Sequence, residues 1–134
     1  MKVKIIDFGG KLPTRVHYND AGADVYNSER TFVERGEVVK IPLGFGLELP
    51  DGMVGFIFPR SSLSAQGLVC ELPPIDAGYR GEIHAIVSNV GNRQHILEKD
   101  QRIGQLVVLP VITPDFVTEL GEARECGTFG SSGR

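Results

Sequence analysis

The chain has 134 residues, 41% hydrophobic and 23% charged, with a formal charge of −3. This is the size and balance of one soluble domain able to bury ~65–70% of its unfolded surface. The net charge speaks against general nucleic-acid binding, which draws on a basic face, so an anionic ligand would need a local cluster of Arg.

Met1-Lys-Val-Lys-Ile-Ile-Asp-Phe8 is a short apolar stretch broken by charge, and reads as an opening strand rather than a signal peptide. No apolar run approaches the ~20 residues of a membrane span. Seventeen Gly and eight Pro punctuate the rest. The segments between them read as strands over Val3–Asp7, Thr31–Val33, Glu37–Ile41, Phe45–Leu49 and Met53–Phe58, with Pro50-Asp51-Gly52 as a turn. Further strands follow at Leu68–Glu71, Glu82–Asn89, Gln94–Leu97, Gln101–Leu109 and Phe116–Leu120. One short helix is expected near Ser61–Gln66, stopped by Gly67. Many short strands at this spacing imply an all-β sandwich, barrel or jelly roll. Cys70 and Cys126 have no second Cys or His at metal-ligand spacing and read as reduced thiols of a cytoplasmic protein.

The segment from Glu122 to Arg134 has one large apolar residue, Phe129. Alone it cannot offset its ordering entropy, so residues 1–120 are read as the folded domain and 121–134 as a glycine-rich mobile arm. An aromatic ring among Gly and Ser, near Arg124 and Arg134, suits an arm that orders over a ring-and-phosphate ligand.

Two polar islands interrupt the strands. In Phe58-Pro-Arg-Ser-Ser-Leu-Ser64, a Ser at a helix start ordinarily caps it. The free N–H groups of a first turn also attract phosphate, and Arg60 adds a fork of donors. In Ile75-Asp-Ala-Gly-Tyr-Arg-Gly81, Asp and Gly are ordinary turn residues. Yet Pro73-Pro74-Ile75 would hold the Asp76 carboxylate in one place, where it could orient a water for attack on phosphorus. Weaker signals are Asp100-Gln-Arg-Ile-Gly-Gln-Leu106, where Gly104 would let the Gln105 amide reach a phosphate, and Asp20-Ala-Gly-Ala-Asp-Val-Tyr26. Asp24 could serve the hydration shell of Mg²⁺ or pair with an Arg such as Arg102.

In this order, Ala21–Tyr26, Pro59–Leu63, Ile75–Gly81, Arg102–Leu106 and Arg124–Gly133 resemble the five motifs of the homotrimeric dUTPase family. The resemblance implies a dUTPase-like jelly roll, or β-clip, assembled as a trimer whose active sites are shared between subunits. It implies that Asp76 orients the attacking water and that Tyr79 packs on deoxyribose. Backbone groups near His84 would bond the uracil edge. Arg60, Ser61, Ser62, Gln105 and Arg124 would hold the triphosphate, Ser131 and Ser132, beside Gly130, would add arm contacts, and Phe129 would stack on uracil. Mg²⁺ would ride on the triphosphate, with Asp24 reaching it through water. The implied activity is hydrolysis of dUTP to dUMP and pyrophosphate, which limits dUTP and supplies dUMP for thymidylate synthesis. Against the family pattern, Ser62 stands at a common Gly position, and Pro73-Pro74 remove two backbone donors from the approach to the third motif. The alternatives are dCTP deaminase, which needs a catalytic Glu that Ile83–Asn89 does not contain, and a regulatory member engaging a protein partner.

Overall fold

The computed structural model describes residues 1–121. Arg124, Phe129, Gly130, Ser131 and Ser132, and the arm reading with them, lie outside the described residues.

Ten strands and one helical turn follow in order: β1 Lys4–Asp7, β2 Ala23–Tyr26, β3 Thr31–Val33, β4 Val38–Pro42, β5 Phe45–Glu48, β6 Met53–Pro59, α1 Ser61–Ser64, β7 Leu68–Cys70, β8 His84–Asn89, β9 His95–Leu97 and β10 Arg102–Pro110. They pair, all antiparallel, as β1-β5, β2-β10-β6, β3-β9 and β4-β8-β7. The pairings join strands distant in sequence, as an all-β jelly roll requires. Along β8 the alternation is regular: Ala85, Val87 and Asn89 are buried, while His84, Ile86 and Ser88 face outward. Val25, Val33, Ile41, Leu43 and Phe45, from all four sheets and the β4–β5 turn, are fully buried in one shared core. Two buried asparagines staple it. Asn27 Nδ2 donates to the carbonyls of Leu97 (3.0 Å) and Glu98 (3.2 Å), and Asn89 Nδ2 to those of Val33 (3.0 Å) and Arg93 (2.8 Å). Each amide thus bonds one carbonyl at a strand end and one in a loop, tying the two together.

Two elements differ from the sequence expectation. Ala23–Tyr26, read as a motif rather than a strand, is β2, because Gly22 and Ala23 leave room for the β10 side chains above them. Phe116–Leu120 forms no strand: the ladder to β6 ends at Pro110, and Phe116 and Leu120 are each 92% exposed with no strand alongside. A strand needs a partner, and among the described residues this segment has none.

The longest ladder is β10 on β6, pairing Gly104–Pro110 with Pro59–Met53. At Gly104 an added Cβ would sit 2.6 Å from the Phe58 carbonyl oxygen. The β7 edge of the fourth sheet carries Cys70, whose Sγ lies 3.7 Å from the Ile57 carbonyl oxygen. Burial, and then the neighbouring Glu71 charge, push its thiol pKa up.

Gly104→Ala is expected to cost about 1–3 kcal/mol in urea unfolding, since the obstructing atom is backbone and cannot turn aside. Gly78→Ala, whose Cβ would meet nothing within 4 Å, is the control; equal midpoints for the two would show that the ladder yields. In a Cys126→Ser background, alkylation of Cys70 should rise with pH at a higher midpoint in the folded chain than in urea. The associated stability is full below the unfolded thiol's pKa and is lost as pH rises through the folded value. A coincident midpoint in both states would remove the effect.

Candidate active site

Asp76 stands one residue beyond a fixed point. Ile75 exchanges two backbone hydrogen bonds with Gly55 of β6, at 2.8 and 3.1 Å. From there the chain turns, the Tyr79 amide donating to the Asp76 carbonyl at 3.1 Å. The Arg80 guanidinium closes the turn from outside on the carbonyls of Ala77 and Tyr79. Tyr79 folds back so that its hydroxyl donates to the Glu82 carbonyl at 2.8 Å. This needs glycine at 81, because a Cβ there would come within 2.5 Å of the Tyr79 Oη. The same Glu82 carbonyl accepts from His84 Nδ1 at 3.1 Å, so Nδ1 carries the proton in the neutral ring and Nε2 is left as an acceptor. Glu82 itself is occupied, its carboxylate accepting from the Gly44 amide at 2.9 Å.

These residues enclose a cleft of about 220 Å³. Asp76, Tyr79 and His84 supply its polar groups, while Ile57, Pro74 and Ile75 supply apolar wall. Lys40 and Glu71 also line it. Sequence reasoning did not single them out, because their arrival depends on β4 and the end of β7 both meeting Ile86 of β8. That is a pairing no local pattern announces.

The other described motif residues gather elsewhere. Asp24, Gln105 and Phe58 lie abreast on β2, β10 and β6. Gly22 leaves room for the Gln105 amide, which occupies the space a Cβ would take. Asp24 pairs with Arg102 at 3.3 Å, the second of the two roles its sequence position allowed. Two residues past Phe58, Arg60 is the N-cap of α1, with extended φ −85° and ψ 127°. No side chain caps the helix, so the expectation of a capping Ser is replaced: Ser61 and Ser62 are exposed, and among the described residues their hydroxyls take no partner. Arg60 and Ser62 border a second, polar cavity of about 410 Å³ that shares no lining residue with the first.

The two groups sit at different stations along one strand. Ile75 is tied to Gly55, and Arg60 follows the far end of β6, about 17 Å away at ~3.3 Å per residue. One chain brings Asp24, Gln105, Arg60, Ser61 and Ser62 to one region and Asp76, Tyr79 and His84 to another. No group of three or more His, Cys, Asp or Glu among the described residues could hold a metal ion. No helix among them is long and apolar enough to cross a membrane.

Comparison with known proteins gives this geometry its relatives. The family model for dUTPase matches residues 9–133. The deoxyuridine 5'-triphosphate nucleotidohydrolase of Tropheryma whipplei (strain Twist) is 40% identical over 142 residues, covering 100% of this chain and 97% of that protein. Among solved structures, the dUTPase of Staphylococcus bacteriophage 80alpha superposes with a TM-score of 0.84 at 26% identity, over 92% of this chain and 99% of that one. That protein is described as controlling transfer of virulence genes. A variant of the dUTPase from phage phi11 of S. aureus, 24% identical, shares the fold (TM-score 0.82, 90% of this chain and 99% of that one), and coordination of a structural Mg(II) ion is described for it. With the family model matched over residues 9–133, a jelly-roll scaffold and relatives matched end to end, this chain belongs to the dUTPase family.

Proposed function

We propose that the protein is a dUTP diphosphatase, directing water onto the α-phosphorus of dUTP to release dUMP and pyrophosphate. The observation that carries this reading is Asp76, one residue past the backbone anchor of Ile75 on Gly55, lining with Tyr79 a cleft that has one apolar wall. On this reading Asp76 orients a water and takes its proton, and phosphoryl transfer asks for little covalent help beyond that. Tyr79, braced on the Glu82 carbonyl, offers a ring face to the sugar and little room for a 2′-hydroxyl. Backbone groups near His84 would pair with uracil O4 and N3, and cytosine would leave them unpaired, a heavy penalty. Thymine differs by a methyl and must be excluded by the wall.

Arg60, Ser61, Ser62 and Gln105 would hold the phosphates, joined by Arg124, Ser131 and Ser132 of the arm, with Phe129 over the base. Because Asp76 and Arg60 lie apart in one chain, we place the complete site between copies. One copy supplies the cleft and another the phosphate-holding residues, within a homotrimer. The donors present fit Mg²⁺ only loosely: Asp24 offers one carboxylate, already engaged by Arg102. That suits an ion which keeps most of its waters and is carried by the substrate, with Asp24 touching its hydration shell. When bound, the ion would neutralise charge on the phosphate oxygens.

The deaminase reading is disfavoured, since β8 holds no Glu and Glu82 just before it is bonded to the Gly44 amide. A regulatory role beside catalysis has the 80alpha protein as its support. A protein partner retained by Asp76→Asn would favour it.

Pyrophosphate release with Mg²⁺ should be rapid from dUTP and slow from dCTP, dTTP and UTP. Equal rates on all four would overturn the selectivity, and ammonia from dCTP would restore the deaminase. Asp76→Asn should bind nucleotide yet lose ~10²-fold or more in turnover; a near-normal rate would remove Asp76 from the chemistry. Mixing inactive Asp76→Asn and Arg60→Gln chains after joint refolding should regenerate activity, because some sites then draw both intact halves. A mixture as inactive as its parts would place each site within one chain.

A further inference from the structure

The second cavity contains a residue that the motifs do not account for. Besides Arg60 and Ser62 it is bordered by Gln66, Arg93 and His95, and no Asp or Glu lines it. Among the described residues neither Arg60 nor Arg93 enters an ion pair. The neighbouring Glu34 carboxylate is taken by the Gln94 amide. Two arginines bordering one cavity with no lining carboxylate make it a positively charged hollow that an anion would neutralise.

Arg93 is held there by design of the loop. Its Nη2 donates to Gln66 Oε1 at 2.9 Å, and Gln66 Nε2 donates to the Ser62 carbonyl at 3.1 Å. One side-chain amide thus ties the guanidinium to the turn that carries Ser62. The backbone is anchored separately. The Val90 amide donates to the Gly67 carbonyl at 2.9 Å, His95 Nε2 to that of Gln66 at 3.1 Å, and Asn89 Nδ2 to that of Arg93 at 2.8 Å. Gly67, at φ +91°, lies so near Gly91 that a Cβ would stand 2.8 Å from its Cα. None of these contacts uses the Arg93 guanidinium, whose remaining N–H groups stay available to a ligand.

We infer that Arg93 is a further phosphate-binding residue, which with Arg60 and Ser62 forms a seat for the terminal phosphates of the nucleotide and for the pyrophosphate released from it. This rests on reading Arg60 and Ser62 as phosphate holders. It also answers the charge problem: a chain of formal charge −3 must attract a polyanion by a local field.

The test is calorimetric titration of the full-length protein with inorganic pyrophosphate, with dUMP and, on Asp76→Asn chains, with dUTP. Arg93→Gln removes the charge and keeps an amide able to meet Gln66. It should weaken pyrophosphate and dUTP binding about tenfold while leaving dUMP binding and the thermal midpoint unchanged. Arg93→Lys should recover part of the loss. Pyrophosphate binding untouched by Arg93→Gln would overturn the inference and leave Arg93 a loop staple. A parallel fall in dUMP binding and thermal midpoint would overturn it as well. If dUTP is not hydrolysed but Arg93→Gln still abolishes pyrophosphate binding, the seat stands and the diphosphatase reading falls.

Discussion

The rest of the molecule depends on the ladder between β6 and β10. It is the longest pairing in the fold, and it works because Gly104 allows the Phe58 carbonyl within a distance no side chain would tolerate. From that register follow the placement of Gln105 beside Phe58 and Asp24, the exit of Arg60 from the end of β6, and the outer edge of β6 on which Gly55 receives Ile75. One strand therefore serves both halves of the proposed site. Its two ends are held apart by the rigidity that makes each half accurate.

That separation explains why a single chain shows two unrelated hollows rather than one. The cleft around Asp76 is small and partly apolar, suited to a base and sugar. The cavity by Arg60 is polar and free of lining acids, suited to anionic groups. A nucleoside triphosphate has the same division along its length. In the proposed shared site each surface is preorganised on its own strand, and assembly would supply the orientation catalysis needs.

The family and the fold class were legible in the sequence; the pairing of distant strands was not. Asp76, Tyr79, Arg60 and Gln105 stand in short motifs whose neighbours, Gly81 and Gly104 among them, carry local steric reasons to be there. Most strands could be read from alternation, as in Met53–Phe58 and Glu82–Asn89, because one face of each is buried. Ala23–Tyr26 was missed as a strand because its polar Asp24 and small Ala23 hide the alternation. Phe116–Leu120 was read as one because apolar residues do not say whether a partner strand exists. What brings Lys40 to the cleft, or Arg93 to Gln66 from 27 residues away, is pairing between distant segments, which has no local signature.

The contact of Gly67 with Gly91 has a mechanical meaning. Where two loops meet through side chains, rotamer changes absorb small displacements; here main chain rests on main chain and nothing lies between to give. The end of α1 and the loop after β8 therefore move as one lever. A displacement of residues 90–93 therefore has a direct main-chain route to the turn that follows α1. In amide exchange, Val90, bonded to the Gly67 carbonyl, should open at the rate of that whole lever rather than at the rate of a free surface loop.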